Sequence, residues 1–158
     1  MAVRHAHPDE AESLWRVRNE SIRSSCKEIY DDETIAAFTP DLMPEGYRRA
    51  IAATPFFVID DPFTRQPVAT GFLDIEACSV EAIFTLPQYQ RRGFATQILN
   101  AIKAESKRRE IQKLYLSSTP NAVPFYQKNG FNILKISEYF SGTANRALRC
   151  VEMSADLD

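Results

Sequence analysis

The sequence predicts one mixed α/β domain, with helices packed against a sheet. Three observations carry that prediction. Apolar runs rich in β-branched and aromatic residues alternate with helix-period stripes along the chain. A strand, a long helix and another strand follow one another across residues 80–117. Two strand-like runs close the chain on either side of Ser141-Gly142-Thr143. At 158 residues and 18.0 kDa the chain fits one domain with a sizeable core, and no repeat, linker or low-complexity block divides it.

The elements follow in order. Residues 3–6 suit a short first strand. Asp9 opens a helix to about Ser25, with Ala11, Leu14, Trp15, Arg18 and Ile22 at helical spacing and Asp9, Glu10 and Glu12 at its positive end. Asp31-Asp32-Glu33 caps a second helix through Phe38, which Thr39-Pro40 ends. Pro44-Glu45 starts a third through Ala53. Residues 55–59 read as a strand before the turn Asp60-Asp61-Pro62, and residues 68–78 and 80–86 as two more with a poorly marked turn between them. Ala95, Ile98, Leu99 and Ile102 form the core stripe of the clearest helix, with Lys107, Arg108 and Arg109 at its negative end. Residues 113–117 form a strand and 121–128 a short helix, for which Asn129-Gly130 suits a left-handed cap. Residues 131–140 and 145–153 are the final strands. The strand, helix, strand unit across 80–117 implies parallel strands joined by a right-handed crossover.

Composition narrows the function. A net charge of -2 and a pI near 5.8 give no broad cationic field, so neither nucleic acid nor an anionic membrane is an expected partner. Lys103, Lys107, Arg108, Arg109 and Lys113 make a basic helix edge, read as a solvated face. Cys26, Cys78 and Cys150 are widely spaced and odd in number, which suggests neither zinc nor a disulfide framework. His5 and His7 lack acidic or cysteine neighbours, so no metal site is expected, and no nucleophile elbow supports Ser-His-Asp catalysis. The first residues lack a signal-peptide run, and no apolar stretch approaches the roughly 20 residues that span a bilayer. The expectation is a cytoplasmic protein.

One segment carries chemistry. After the strand ending Ile83-Phe84-Thr85, Leu86-Pro87-Gln88-Tyr89 leads into Gln90-Arg91-Arg92-Gly93-Phe94-Ala95-Thr96 and a helix starting near Gly93. The first turn of a helix leaves backbone N–H groups unpaired at the positive end of its dipole. Gly93 lets a ligand approach the backbone, and Arg91 and Arg92 add charge for anionic oxygens. A diphosphate fits there, with each N–H bond to a charged oxygen worth roughly 1.5–3 kcal/mol. The same residues also suit a solvated turn. The Gly-x-x-x-x-Gly-Lys-Ser/Thr pattern and the three-glycine dinucleotide fingerprint are both absent.

Gln90-Arg91-Arg92-Gly93-Phe94-Ala95 resembles the Gln/Arg-x-x-Gly-x-Gly/Ala signature of the GCN5-related N-acetyltransferases (GNAT family). Residues 122–131, Ala-Val-Pro-Phe-Tyr-Gln-Lys-Asn-Gly-Phe, resemble the second motif of that family. The resemblance covers about residues 55–155 and implies a mostly antiparallel central sheet with one splayed parallel pair and flanking helices. It assigns residues 55–155 to a cofactor-binding core and 1–54 to an acceptor-side helical region. It implies acetyl-CoA as acyl donor: backbone groups of Ile83, Phe84 and Thr85 would bond the pantetheine arm and acetyl carbonyl. The amides of Arg91, Arg92, Gly93, Phe94, Ala95 and Thr96 would hold the pyrophosphate. It leaves a homodimer open.

Acetyl transfer to an amine needs a neutral nucleophile and a protonated leaving thiolate. An amine of pKa near 10.4 is neutral in about one molecule in 2,500 at pH 7, so deprotonation costs roughly 4.6 kcal/mol unless the site helps. Phe125-Tyr126 suits core aromatics, and by resemblance Tyr126 is the acid that protonates the thiolate. Glu81, two residues before Ile83 and hence on the same side of a strand period, stands where related enzymes often place an acidic residue or a water-holding group, and by that resemblance is the expected base, with Asp74 and Glu76 as competitors. Relatives carry a cofactor-contacting asparagine where Thr119 stands here; Asn121, five residues before Tyr126, either takes that contact or caps a helix. Trp15, Ile22, Tyr30 and Phe38 either line the acceptor region or belong to the core. The expected function is direct acetyl transfer to the amine of an unidentified small molecule or peptide, with no cysteine intermediate. Its alternatives are a noncatalytic acyl-CoA-binding regulatory module and a nucleic-acid-associated protein using the basic helix.

Overall fold

The computed structural model describes residues 2–157 and forms a seven-stranded sheet in the order β1-β2-β3-β4-β5-β7-β6. The strands are β1 (Arg4–His5), β2 (Phe56–Asp60), β3 (Pro67–Asp74), β4 (Ser79–Thr85), β5 (Lys113–Ser118), β6 (Asn132–Ser141) and β7 (Arg146–Asp156). The helices are α1 (Ala11–Ser25), α2 (Asp32–Phe38), α3 (Glu45–Ala53), α4 (Phe94–Arg108) and α5 (Val123–Lys128). All strand pairs are antiparallel except β4 with β5. The element order agrees with the sequence reading. The largest difference is that β3 ends at Asp74, because the Asp74 carboxylate accepts from the Ala77 amide and Cys78 turns left-handed, φ 51°.

Helix ends follow side-chain chemistry. His7 accepts from the Asp9 amide through Nδ1 while Glu10 reaches back to the His7 amide, so a capping box in a short 3₁₀ turn leads into α1. Asp31 caps α2 by accepting from the Thr34 amide at 2.7 Å. Gly130, at φ 95°, supplies the left-handed step after α5.

Two apolar layers sandwich the sheet. On one face Ile98, Leu99 and Ile102 of α4 pack with Leu73, Val80, Leu114 and Met153. Helix α4 lies so close to β3 that a Cβ on Gly71 would stand 2.8 Å from both Ile98 Cγ2 and Ile83 Cγ1. On the opposite face Ala11 and Leu14 of α1 and Ile51 of α3 cover Phe56 and Val58. A third cluster joins Ile22, Cys26, Tyr30, Ile35 and Phe38 to Leu148 of β7. Strand β6 is outermost and exposes Ile133, Leu134, Ile136 and Phe140.

Strands β4 and β5 meet in only one registered pair, Ser79 with Tyr115, where the Tyr115 amide donates to the Cys78 carbonyl at 2.9 Å. Beyond that rung they diverge. A bulge in β4 accompanies the divergence: Thr70 pairs with Phe84 and Phe72 with Glu81, so three steps on β4 answer two on β3. Ala82 absorbs the extra residue at φ 54°. This is the splayed pair that the sequence led us to expect.

Candidate active site

The diverging strands open a cleft of about 860 Å³. Ile83, Phe84 and Thr85 of β4 form one wall, and Asn121, Ala122, Phe125 and Tyr126 of the α5 region form another. The start of α4 closes one end, and Ser21, Ile22, Ser25 and Cys26 of α1 contribute from across the sheet face.

The loop before α4 is built to expose amides. Arg91 and Gly93 both take left-handed conformations, φ 64° and 83°, and Gly93 caps α4 with no side-chain hydrogen bond. The first α4 bond runs from the Gln97 amide to the Gly93 carbonyl at 3.0 Å, so the amides of Phe94, Ala95 and Thr96 have no intrahelical acceptor. A Cβ on Gly93 would meet nothing within 4 Å: glycine is needed there for its φ, and the space beside it is open. The loop is anchored from outside. The Tyr89 hydroxyl donates to the Asp61 carboxylate, which also accepts from the Phe63 and Thr64 amides at 2.7 and 3.0 Å. Arg92 lies 5.2 Å from the Tyr89 ring centroid.

Tyr126 is buried against Phe125 and Phe131, with ring centroids 5.0 and 5.8 Å away, and still lines the cleft. Burial pushes its phenol well above the ordinary range, and the Glu81 carboxylate adds to the shift. The Thr85 hydroxyl also lines the cleft and is buried without a hydrogen-bond partner. Such an orphan needs a ligand atom or water to satisfy it.

Residues 26–154 match the family model described as the acetyltransferase (GNAT) domain. The chain belongs to the GNAT acetyltransferases. It is therefore an acetyl-CoA-dependent N-acetyltransferase, the activity implied by the sequence motifs. An uncharacterized N-acetyltransferase of Escherichia coli, YafP, is 24% identical over 134 residues, covering 84% of this chain and 82% of its own. A GCN5-related N-acetyltransferase from Rhodopseudomonas palustris superposes with TM-score 0.88 at 18% identity, covering 99% of this chain and 95% of its own. The PaiA N-acetyltransferase of Thermoplasma acidophilum, solved with coenzyme A, gives TM-score 0.76 at 20% identity with 98% of both chains covered. At these identities the structural likeness establishes the fold.

The residues of this GNAT domain fit an acyl-CoA. Open amides at the α4 start suit linked phosphates, the unpaired β4 edge suits an amide-bearing arm, and Thr85 offers a hydroxyl in want of a partner. Ile83, Phe84, Thr85, Arg91, Gly93, Phe94, Ala95, Thr96, Asn121 and Tyr126 all line the one cleft, as does Thr119. Two sequence candidates do not. The Arg92 side chain lies over Tyr89, just outside the lining. Glu81 is the other, and its expected sidedness is corrected. Ile83 faces α4 beside Gly71, whereas Glu81 pairs with Phe72, which stacks on Phe56 under α1 and α3. The bulge at Ala82 breaks the two-residue period between them.

On that face Glu81 is half-buried and accepts from the Ser79 hydroxyl. Desolvation raises its carboxyl above the usual range, the Ser79 bond lowers it, and Asp74 raises it. Asn121 is no helix cap, since its Nδ2 donates to the Ser25 carbonyl at 3.1 Å and ties the α5 region to α1. Of the four aromatic and apolar acceptor-side candidates, Ile22 reaches the cleft. Trp15 instead donates to the Pro40 carbonyl at 2.8 Å, Tyr30 to the Arg149 carbonyl at 2.8 Å, and Phe38 is core.

Sequence reasoning missed Ser21, Ser25 and Cys26, which reach the cleft only through the packing of α1 on the sheet. Burial raises the Cys26 thiol to about 11, so it stays protonated at neutral pH. The basic helix edge is partly neutralised, with Glu105 accepting from Arg108 and Arg109 at 2.5 and 2.7 Å and the Asn129 carbonyl from Lys103 at 2.5 Å. Among the described residues no cluster suits a metal ion, and no helix is long and apolar enough to cross a membrane.

Proposed function

We propose that this GNAT domain acetylates an amine by direct transfer in a ternary complex, with donor and acceptor meeting at the mouth of the β4–β5 wedge. The observation that carries the reading is a single cleft joining the unpaired amides of Phe94, Ala95 and Thr96 to the Tyr126 phenol. Bound acetyl-CoA supplies the thioester carbonyl to be attacked and the thiolate to be expelled. The amides beside Gly93 hold its linked phosphates, aided by the α4 dipole and the Arg91 charge. The β4 edge at Ile83 to Thr85 fixes the arm, and the Thr85 hydroxyl bonds to it. Tyr126, kept protonated by its buried setting, donates its proton to the departing thiolate and regains one from solvent as coenzyme A leaves.

Glu81 takes the proton of the incoming ammonium through water. Its raised carboxyl is a stronger base than an exposed one, and the proton is then passed to solvent. Thr119 and Asn121 flank the same wall, and Asn121 positions it by its bond to Ser25. Cys26 takes no acetyl group, because a buried, protonated thiol is a poor nucleophile.

The test is a thiol-release screen with acetyl-CoA against diverse amines, paired with melting in coenzyme A. Ligand at 100 times its Kd adds about 2.7 kcal/mol, which for a domain of this size is roughly 5–10 °C. A melting shift with amine-dependent thiol release is the expected result. A shift without release from any amine would reduce the chain to an acyl-CoA-binding module. The three unpaired thiols fit a reducing cytoplasm, which cell fractionation checks. A homodimer would pair across the exposed β6 edge, and a monomer mass by light scattering at micromolar concentration would end that part of the proposal.

A further inference from the structure

Beside the cleft lies a cation with no counter-ion. Arg18 is 7% exposed, and no carboxylate stands within ion-pair distance of it among the described residues. Its Nη1 donates to Asn19 Oδ1 at 2.7 Å and to the Phe38 carbonyl at 2.9 Å. The guanidinium is held between two rings, 4.2 Å from the Trp15 centroid and 4.6 Å from that of Phe38. Nε and Nη2, the two donors of its other edge, have no partner among the described residues. Desolvation lowers its pKa to about 10, which still leaves it charged at neutral pH. Two neutral acceptors and two ring faces are poor compensation for removing a cation from water.

The groups around Arg18 share a sheet face with Glu81. Arg18 is one turn before Ser21 and Ile22 on α1, and that spacing puts it on the helix face that lines the cleft. Tyr47 lies edge-on to Trp15 at 5.0 Å, and its hydroxyl is buried without a partner. The aromatic row continues from Tyr47 to Phe56 at 5.8 Å and to Phe72 at 4.7 Å. Phe72 is the cross-strand partner of Glu81. The compartment thus holds a cation with one unpartnered edge, a phenol without an acceptor, and a carboxylate with a raised proton affinity.

We infer that Arg18 and Tyr47 bind a carboxylate of the acceptor, so that the substrate class is an amine that also carries a carboxylate, a free amino acid being the simplest case. The planar edge of Nε and Nη2 matches the two oxygens of such a group, and Tyr47 donates to one of them. Nη1 keeps the separate task of closing the C-terminal end of α2. The assignment rests on the acetyl-transfer reading above and adds the acceptor to it.

The twenty amino acids and their twenty amides, which lack that charge and carry a less basic amine, are compared by thiol release corrected for the neutral-amine fraction, in the wild type, Arg18→Lys and Arg18→Met. The expected result is turnover of at least one acid well above its amide. Arg18→Met should then lower kcat/KM for the acid about 100-fold, mostly through KM, and change the amide by less than about threefold. Arg18→Lys should fall between, with the coenzyme A melting shift retained. Amides turned over as well as acids, or acid and amide lost in equal measure, would overturn the assignment while leaving the acetyltransferase intact. If no acid or amide releases thiol, melting with coenzyme A and the N-acetylated amino acids decides. A shift in the wild type that Arg18→Lys weakens sustains Arg18 as the carboxylate site, and no shift, or equal shifts, removes it.

Discussion

Gly93→Ala isolates the amide cradle from ordinary stability. The residue stands at φ 83°, and a Cβ there meets nothing within 4 Å, so the substitution adds backbone strain without a clash. Holding alanine left-handed costs roughly 1–2 kcal/mol, or about 2–8 °C of melting temperature for a domain of this size. Gly130, at φ 95° with Lys103 Nζ the nearest atom at 3.9 Å, offers the same strain at a position that is not itself in the lining and lies far in sequence from the Phe94 to Thr96 amides. The two variants should therefore melt alike. They should part on coenzyme A, because the methyl group at position 93 fills the open space beside the Phe94, Ala95 and Thr96 amides. Losing one such bond to a charged oxygen weakens affinity by roughly 10- to 100-fold. Urea melts give the stability change and isothermal titration with coenzyme A gives the affinity. Equal affinity in Gly93→Ala and Gly130→Ala, with both folded, would refute the placement of the phosphates.

Tyr126→Phe should lower turnover about 10²- to 10⁴-fold and leave the coenzyme A affinity within twofold, as stopped-flow thiol release and titration would report. Glu81→Gln should lose activity mainly at low pH, where neutral amine is scarcest; parallel pH profiles for the two enzymes would remove Glu81 as the base. The same variant has a stability signature. A carboxyl raised in the folded state binds protons more tightly there, so its charge costs stability as pH rises from the unfolded value through the folded one. Glu81→Gln should thus melt higher than wild type at neutral pH, and the gain should vanish below about pH 4. Cys26→Ala should keep turnover within about threefold under direct transfer, and a trapped acetyl-cysteine in the wild type would contradict that outcome.

The fold was legible where local chemistry is loud. Asp31, Gly93 and Gly130 mark helix ends by the conformations and hydrogen bonds they supply, and the apolar stripe of α4 keeps its period without interruption. The bulge at Ala82 was silent. A non-glycine residue in a left-handed step carries no compositional mark, yet it sends Glu81 and Ile83 to opposite faces. One wall of the cleft was readable because its members lie close together in sequence, between Ile83 and Thr96. The α1 contribution of Ser21, Ser25 and Cys26 was not, since the helix reaches the cleft only by packing, with Ser25 bonded to Gln90 and Asn121 across 65 and 96 positions of sequence. Arg18 was visible as one more residue at helical spacing, and only burial distinguishes it from a solvated cation.

The lone rung between Ser79 and Tyr115 makes this sheet two half-sheets sharing a corner. Each half ends at the gap in a row of peptide groups that neither neighbour can reach, so an extended molecule with its own amides can sit there as a surrogate strand. Occupancy then welds the halves. Amide hydrogen exchange along β5 and the far end of β4 should slow together when the gap is filled, as the seam becomes continuous fabric.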